Sequence, residues 1–112
     1  METQDLGKTS TGIQPNVAAL LCYLVGFVTG IIFYLIEKEN KFVRFHAMQS
    51  TITFGVLFVL MMVAGFIPVI GLAAAPILGV IELILWIVLM VKSYQGEKFK
   101  LPVVGDIAEQ NS

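Results

Sequence analysis

Between Lys41 and Ser50 the chain sets a guanidinium, its only imidazole, an amide and a hydroxyl: Arg44, His46, Gln49 and Ser50. On helical spacing His46, Gln49, Ser50 and Thr53 share one face, while Arg44, Ala47, Met48, Thr51 and Gly55 fall on nearly the opposite one. Such a polar stripe can bind an ion, a lipid headgroup or a peptide. It can also do no more than hydrogen-bond across helices at a membrane boundary. The second candidate is Glu82, which stands among Leu, Ile and Val from Leu78 to Leu89. A carboxyl in that setting suits proton or cation handling; as the protonated acid it suits an interhelical hydrogen bond, with Thr29 and Thr53 at similar depth. Bond-breaking chemistry has less support. One His and one Cys, Cys22, at different depths form no nucleophile-base pair, and HExxH, CxxC, GxSxG and Gly-rich phosphate loops are missing. One His with a remote carboxyl is too little for a structural metal site. The expectation is a non-enzymatic protein without metal or cofactor.

The elements that must position these residues follow from composition. Of 112 residues, 57% are hydrophobic and 13% charged, against roughly 45–50% and about 25% in ordinary soluble domains. The charges are unevenly spread: none lies between Val17 and Ile36, and only Glu82 lies between Ala47 and Val91. A bilayer crossing needs about 20 apolar residues. The spacing therefore predicts an all-α integral membrane bundle of three transmembrane helices, over about 17–36, 41–66 and 72–94. Residues 1–16 read as a flexible polar tail, 17–96 as the transmembrane domain and 97–112 as a tail lying at the interface. The first tail lacks a basic n-region, and the block after it exceeds the roughly 7–15 residues of a signal-peptide core, so no cleaved leader is expected. Asn16 is placed to cap the first helix.

Small residues say where helices meet. Ala18, Cys22, Gly26 and Gly30 recur every four positions and contain a GxxxG pattern; Ala47, Thr51 and Gly55 do the same on the second helix. Gly71, Ala75 and Gly79 repeat it on the third. In lipid, close backbone approach over such residues holds helices together. The second helix is thus expected to be central, with the first packing on it within one chain or meeting a second copy. Glu37 to Lys41 reads as a charged hairpin loop, and Phe66 to Gly71 as a tight apolar turn around Pro68. Pro76 falls in the first turn of the third helix or at its start, and Gly96 terminates that helix. Phe42 and Phe45 suit the headgroup boundary, where Arg44 can snorkel toward phosphates.

Three spans would place Lys38, Lys41, Arg44, Lys92, Lys98 and Lys100 on one side and leave only Lys8 on the other. By the positive-inside rule this predicts a multi-pass plasma-membrane protein with its N-terminus outside and its C-terminus cytoplasmic. Its partners would be the lipid bilayer and either copies of itself or other membrane proteins. Nucleic acid is not expected, because the basic residues alternate with Glu at the membrane surface.

Two strings carry a family resemblance: Glu37-Lys38-Glu39-Asn40-Lys41-Phe42-Val43-Arg44-Phe45-His46-Ala47-Met48-Gln49-Ser50, and Gly96 to Glu109 with its Phe99-Lys100-Leu101-Pro102 core. They resemble small bacterial and archaeal membrane proteins of unknown function, a family similar to the Tic-type chloroplast inner-envelope import component. The resemblance implies a small helical bundle and a structural or accessory part in a membrane assembly, with protein translocation or insertion as its specific form. It brings no catalytic residue. A small ion- or proton-conducting subunit built on Glu82 is the alternative from another class.

Overall fold

The computed structural model describes residues 7–112, so the part of the expected flexible tail in residues 1–6 lies outside the described residues. Five helices follow in order, with no strand among the described residues: α1 (Pro15–Leu24), α2 (Phe27–Ile36), α3 (Lys41–Gly65), α4 (Pro68–Tyr94) and α5 (Val104–Gln110). Two of them, α3 and α4, are long and apolar enough to cross a membrane.

The first apolar block is where the structure departs from expectation. It is not one helix over 17–36 but two ten-residue helices, broken at Val25 and Gly26. Gly26 has φ 60° and ψ −136°, a region that only glycine enters readily, and this reverses the chain. The start of α1 is at the end of α4, where Asn16 Nδ2 donates to the Tyr94 carbonyl at 3.1 Å. From there α1 descends along α3 past His46, Gly26 sits against Phe54, and α2 climbs back past Ala47 and Ser50 to Arg44. Phe54 is 13 residues into α3, so the turn lies roughly 20 Å along it at 1.5 Å per residue. The block enters and returns on one side. Residues 8–10 are consequently hydrogen-bonded to the loop after α2, rather than lying at the opposite end of the molecule as three spans would require.

Capping explains the other boundaries. Asn40 accepts from the Val43 amide at 3.0 Å and starts α3. Pro15 and Pro68 occupy first-turn positions of α1 and α4, where a missing N–H costs nothing. Asn16 is therefore inside α1, not its cap. The turn between α3 and α4 is only Phe66 and Ile67, and Pro76 lies within α4 instead of starting it. Gly96, at φ 80°, ends α4 in a Schellman motif: its amide reaches the Ser93 carbonyl and the Glu97 amide reaches that of Lys92.

Both buried clusters lie toward the end where the short helices gather. One cluster joins Ala18, Cys22 and Phe33 to Val43 and Ala47, and a second joins Tyr23, Phe54 and Leu89. Gly30 lets α2 and α3 approach closely: a Cβ there would come within 2.9 Å of the Ala47 carbonyl, Ser50 Oγ and Thr51 Oγ1. Beyond the turn at Gly26 the far halves of α3 and α4 stand out as a two-helix hairpin, with Val56, Val59, Val69 and Leu72 exposed.

Candidate functional site

The polar stripe of α3 is buried, and His46, Gln49 and Ser50 are hydrogen-bonded within it. His46 Nε2 lies 3.0 Å from the Glu97 carbonyl, which can only accept, so this nitrogen carries the proton. Nδ1 is then the acceptor for the Tyr23 hydroxyl at 2.6 Å. The Tyr23 oxygen in turn accepts from Gln49 Nε2 at 3.0 Å. Gln49 completes its set by donating to the Phe99 carbonyl at 2.9 Å and accepting from the Leu101 amide at 3.0 Å. Two side chains, His46 and Gln49, thus read the backbone of residues 97–101, and Tyr23 ties both of them to α1. Phe42, Phe45 and Tyr23 close around the imidazole edge-to-face at 4.7, 5.0 and 5.5 Å.

A second group repairs the helix break. Reversing the chain at Gly26 frees carbonyls that lipid cannot satisfy. Ser50 Oγ lies 2.7 Å from the Cys22 carbonyl and 2.9 Å from that of Gly26. Thr29 Oγ1 reaches the Cys22 carbonyl at 3.1 Å and accepts from the Val25 amide at 3.2 Å. The Trp86 indole N–H donates to the Tyr23 carbonyl at 2.8 Å. Thr53 joins neither group: its hydroxyl is buried without a partner among the described residues.

At the polar end Arg44 does not reach out toward phosphates. Its Nη1 donates to the Glu37 and Tyr34 carbonyls at 2.7 and 3.0 Å, its Nε donates to the Ser112 carbonyl at 3.2 Å, and its guanidinium stacks 4.1 Å from the Tyr34 ring centroid. It caps the C-terminus of α2, where cations are favoured. Glu37 is not a solvated loop charge either. It is fully buried, and its Oε2 accepts the amides of Ser10, Asn40 and Glu39 at 2.7, 3.0 and 3.1 Å. Burial alone would push this carboxyl up; the donors from Ser10, Asn40 and Glu39 outweigh it and hold it below its usual value. The Ser10 hydroxyl accepts the amides of Lys38 and Glu39, and Asn40 Nδ2 reaches the Lys8 carbonyl, so residues 8–10 are strapped to the loop.

Glu82 sits apart from all of this. It lines a cavity of about 360 Å³ at the turn of the α1–α2 hairpin, together with Gly26, Phe27, Phe54, Phe58, Gly79 and Trp86. Neither expected partner bonds it, since Thr29 is spent on the helix break and the Thr53 hydroxyl is unmatched. Of the small-residue positions, Ala18, Cys22, Gly30, Ala47 and Thr51 are at the α1–α2–α3 contact. Gly55 and Gly79 have open space where a side chain would be, and Ala75 lines a shallow groove between the far halves of α3 and α4. Among the described residues no three His, Cys, Asp or Glu side chains gather as a metal site. Reading by composition passed over Tyr23, Trp86, Asn40 and the backbone of 97–101. Tyr23 and Trp86 did carry a signal, being polar-tipped aromatics inside apolar blocks, which seek a partner when buried.

Short helices packed at one end, with two long apolar helices projecting from them, are the build of a small helical membrane protein. The chain belongs to the magnetosome magnetite crystal formation protein family, which matches residues 13–108. It is 56% identical over 107 residues to a UPF0132 membrane protein of Methanocaldococcus jannaschii, covering 96% of each chain. A UPF0132 membrane protein of Archaeoglobus fulgidus is 56% identical over 98 residues, 88% of this chain and 95% of the relative. Another from M. jannaschii is 48% identical over 99 residues, 88% of this chain and 71% of the relative. No solved structure matches. None of these matches is to a Tic-type component, so that similarity rests on the loop and tail strings alone.

Proposed function

We propose that this is a non-enzymatic plasma-membrane protein, crossing twice through α3 and α4, with the α1–α2 hairpin re-entrant and both termini cytoplasmic, and that it serves as a structural component of a membrane assembly. The observation that carries the assembly is an open groove on α3, lined by Thr51, Ile52, Gly55, Val56, Val59 and Leu60, in which nothing lies within 4 Å of where a Gly55 side chain would begin. A glycine facing outward from a membrane helix lets another helix approach closely. The non-enzymatic reading is supported by the engagement of Tyr23, His46, Gln49 and Ser50 in structural hydrogen bonds. The partner is a second copy or another membrane protein. A place in protein translocation or insertion is the version suggested by the Tic-type resemblance and has no support beyond it. The test is subunit counting by single-molecule photobleaching in native-membrane nanodiscs. Wild type should show two or more copies and Gly55→Leu fewer; single copies for both, with no co-purifying membrane protein, would end the assembly reading.

A specific observation keeps the conducting alternative: Glu82 lines a cavity at a broken helix, the setting in which membrane carriers place ion sites. Proton or cation flux into liposomes should then exceed that of empty liposomes and fall in Glu82→Gln. Equal flux in all three would eliminate it.

A further inference from the structure

The cavity at the hairpin turn holds a carboxyl without a protein partner. Glu82 makes no hydrogen bond or ion pair among the described residues. Ionisable groups inside a membrane are normally paired. The chain has seven Lys and Arg residues, and all lie in the terminal segments, in the 37–40 loop or in the end turns of α3 and α4 nearest them. The nearest in sequence, Lys92, is about 15 Å along α4 from Glu82 and pairs with Glu97 at 3.1 Å. Any cation that pairs with Glu82 therefore comes from outside the chain.

The walls say what kind of cation. The Phe27 and Phe58 rings meet tilted at 51° with centroids 5.2 Å apart, and Phe54 and Trp86 line the same space. The Trp86 N–H is already committed to the Tyr23 carbonyl, so the indole offers its ring and not a donor. Aromatic rings with one carboxyl attract organic cations through ring quadrupole and charge together. A hydrated metal ion would need several oxygen ligands, and Glu82 is the one acidic side chain lining the cavity. Val25 at the helix break, Phe58 on α3 and Leu83 on α4 line the cavity and are exposed, so it opens at the side of the hairpin. Its volume of about 360 Å³ falls within the range of small-molecule sites.

We propose that this cavity binds a lipophilic organic monocation from the membrane phase, with Glu82 as counter-ion and Phe27, Phe58 and Trp86 as its aromatic walls. The site shares Glu82 with the conducting alternative but does not rest on it, because binding needs no passage across the membrane. Loss of flux and loss of binding are separate results.

Trp86 is the only tryptophan, so its fluorescence reports the cavity directly. The full chain in nanodiscs is titrated with tetraphenylphosphonium and, separately, with tetraphenylborate, which has a similar shape and opposite charge. Saturable change in Trp86 emission is expected with the cation alone, with affinity at least tenfold weaker in Glu82→Gln. Gly79→Leu supplies an independent variant, because Gly79 lines the cavity and an added Cβ there meets nothing within 4 Å. It should abolish the response while leaving the helical circular dichroism unchanged. The proposal is overturned if wild type shows no saturation, if tetraphenylborate gives the same saturable change, or if Glu82→Gln binds the cation as tightly as wild type. Should Glu82→Gln fail to fold, the borate and Gly79→Leu arms decide.

Discussion

Removing the Tyr23 hydroxyl would strand two buried groups at once, because that oxygen both donates to His46 Nδ1 and accepts from Gln49 Nε2. Each buried polar group left unmatched costs roughly 1–3 kcal/mol, whereas the phenyl ring itself packs unchanged. Tyr23→Phe should therefore lower stability by about 2–6 kcal/mol, read as a lower unfolding midpoint in detergent. An unchanged midpoint would mean that the clamp on residues 97–101 is held by something else. Thr53→Val should behave in the opposite way. The hydroxyl is buried and unmatched, so replacing it by a methyl of similar shape removes a desolvation cost and should leave the midpoint equal or higher. Glu37 supplies the pH dependence. Its folded pKa is lowered, so the unfolded chain binds the proton more readily. The stability it contributes is complete above its usual value of 4.5 and is lost as pH falls through the folded value. Hydrogen exchange at the Ser10 amide should accelerate across that acidic window in wild type. In Glu37→Gln it should be fast already at neutral pH, and a step that persists in this variant would place the titrating group elsewhere.

At the scale of elements, the long helices were legible and the hairpin was not. Runs of 25 and 27 residues with almost no charge leave α3 and α4 little choice, and Gly96 marks a helix end that the Schellman bonds confirm. Gly26 carries no comparable mark. A glycine four residues from another on an apolar helix reads as a packing face, and nothing in composition changes across Val25 and Gly26. What breaks the helix is tertiary: Ser50, Thr29 and Trp86 wait at the break to satisfy the carbonyls it frees. The same limit applies to Glu37, which in a run of charges reads as solvated until Ser10 folds over it from 27 positions away. His46 and Gln49 lie on the buried face of α3, and their backbone partners are about 50 residues downstream, which no local pattern reveals. The hairpin makes a sharp prediction. Gly26→Ala would force a side chain into a backbone region that L-residues avoid, at a cost of roughly 1–3 kcal/mol. Cys22, buried beside the turn with its Sγ 3.8 Å from the Val43 carbonyl, is the reporter. A membrane-permeant maleimide should label it slowly in wild type and several-fold faster in Gly26→Ala. Equal rates would show that the turn does not depend on glycine.

For the whole molecule, the hairpin redistributes charge. Counted on three spans, Lys8 stands alone on the far side; with the chain turned back at Gly26 it joins Lys38, Lys41, Arg44, Lys92, Lys98 and Lys100 at one end. The opposite end, at Phe66 and Ile67, carries no charge. The positive-inside rule then has no exception to absorb. The molecule measures 49 Å along its long axis, enough for a hydrocarbon core of about 30 Å with the polar head standing in the headgroup layer. Hairpin depth fits the proposed topology, in which a turn roughly 20 Å along α3 would stop short of the far side of a hydrocarbon core of about 30 Å. Both termini should therefore face the cytoplasm, and this separates the two topologies by experiment. Single cysteines are placed at Ser10, Phe66 and Ser112 in a Cys22→Ala background, and intact cells are treated with an impermeant maleimide before and after permeabilisation. Phe66→Cys should label in intact cells, and Ser10→Cys and Ser112→Cys only once the membrane is opened. Labelling of Ser10→Cys from outside, with Ser112→Cys still protected, would restore three spans and remove the re-entrant hairpin, along with the mid-membrane position assigned to the Glu82 cavity.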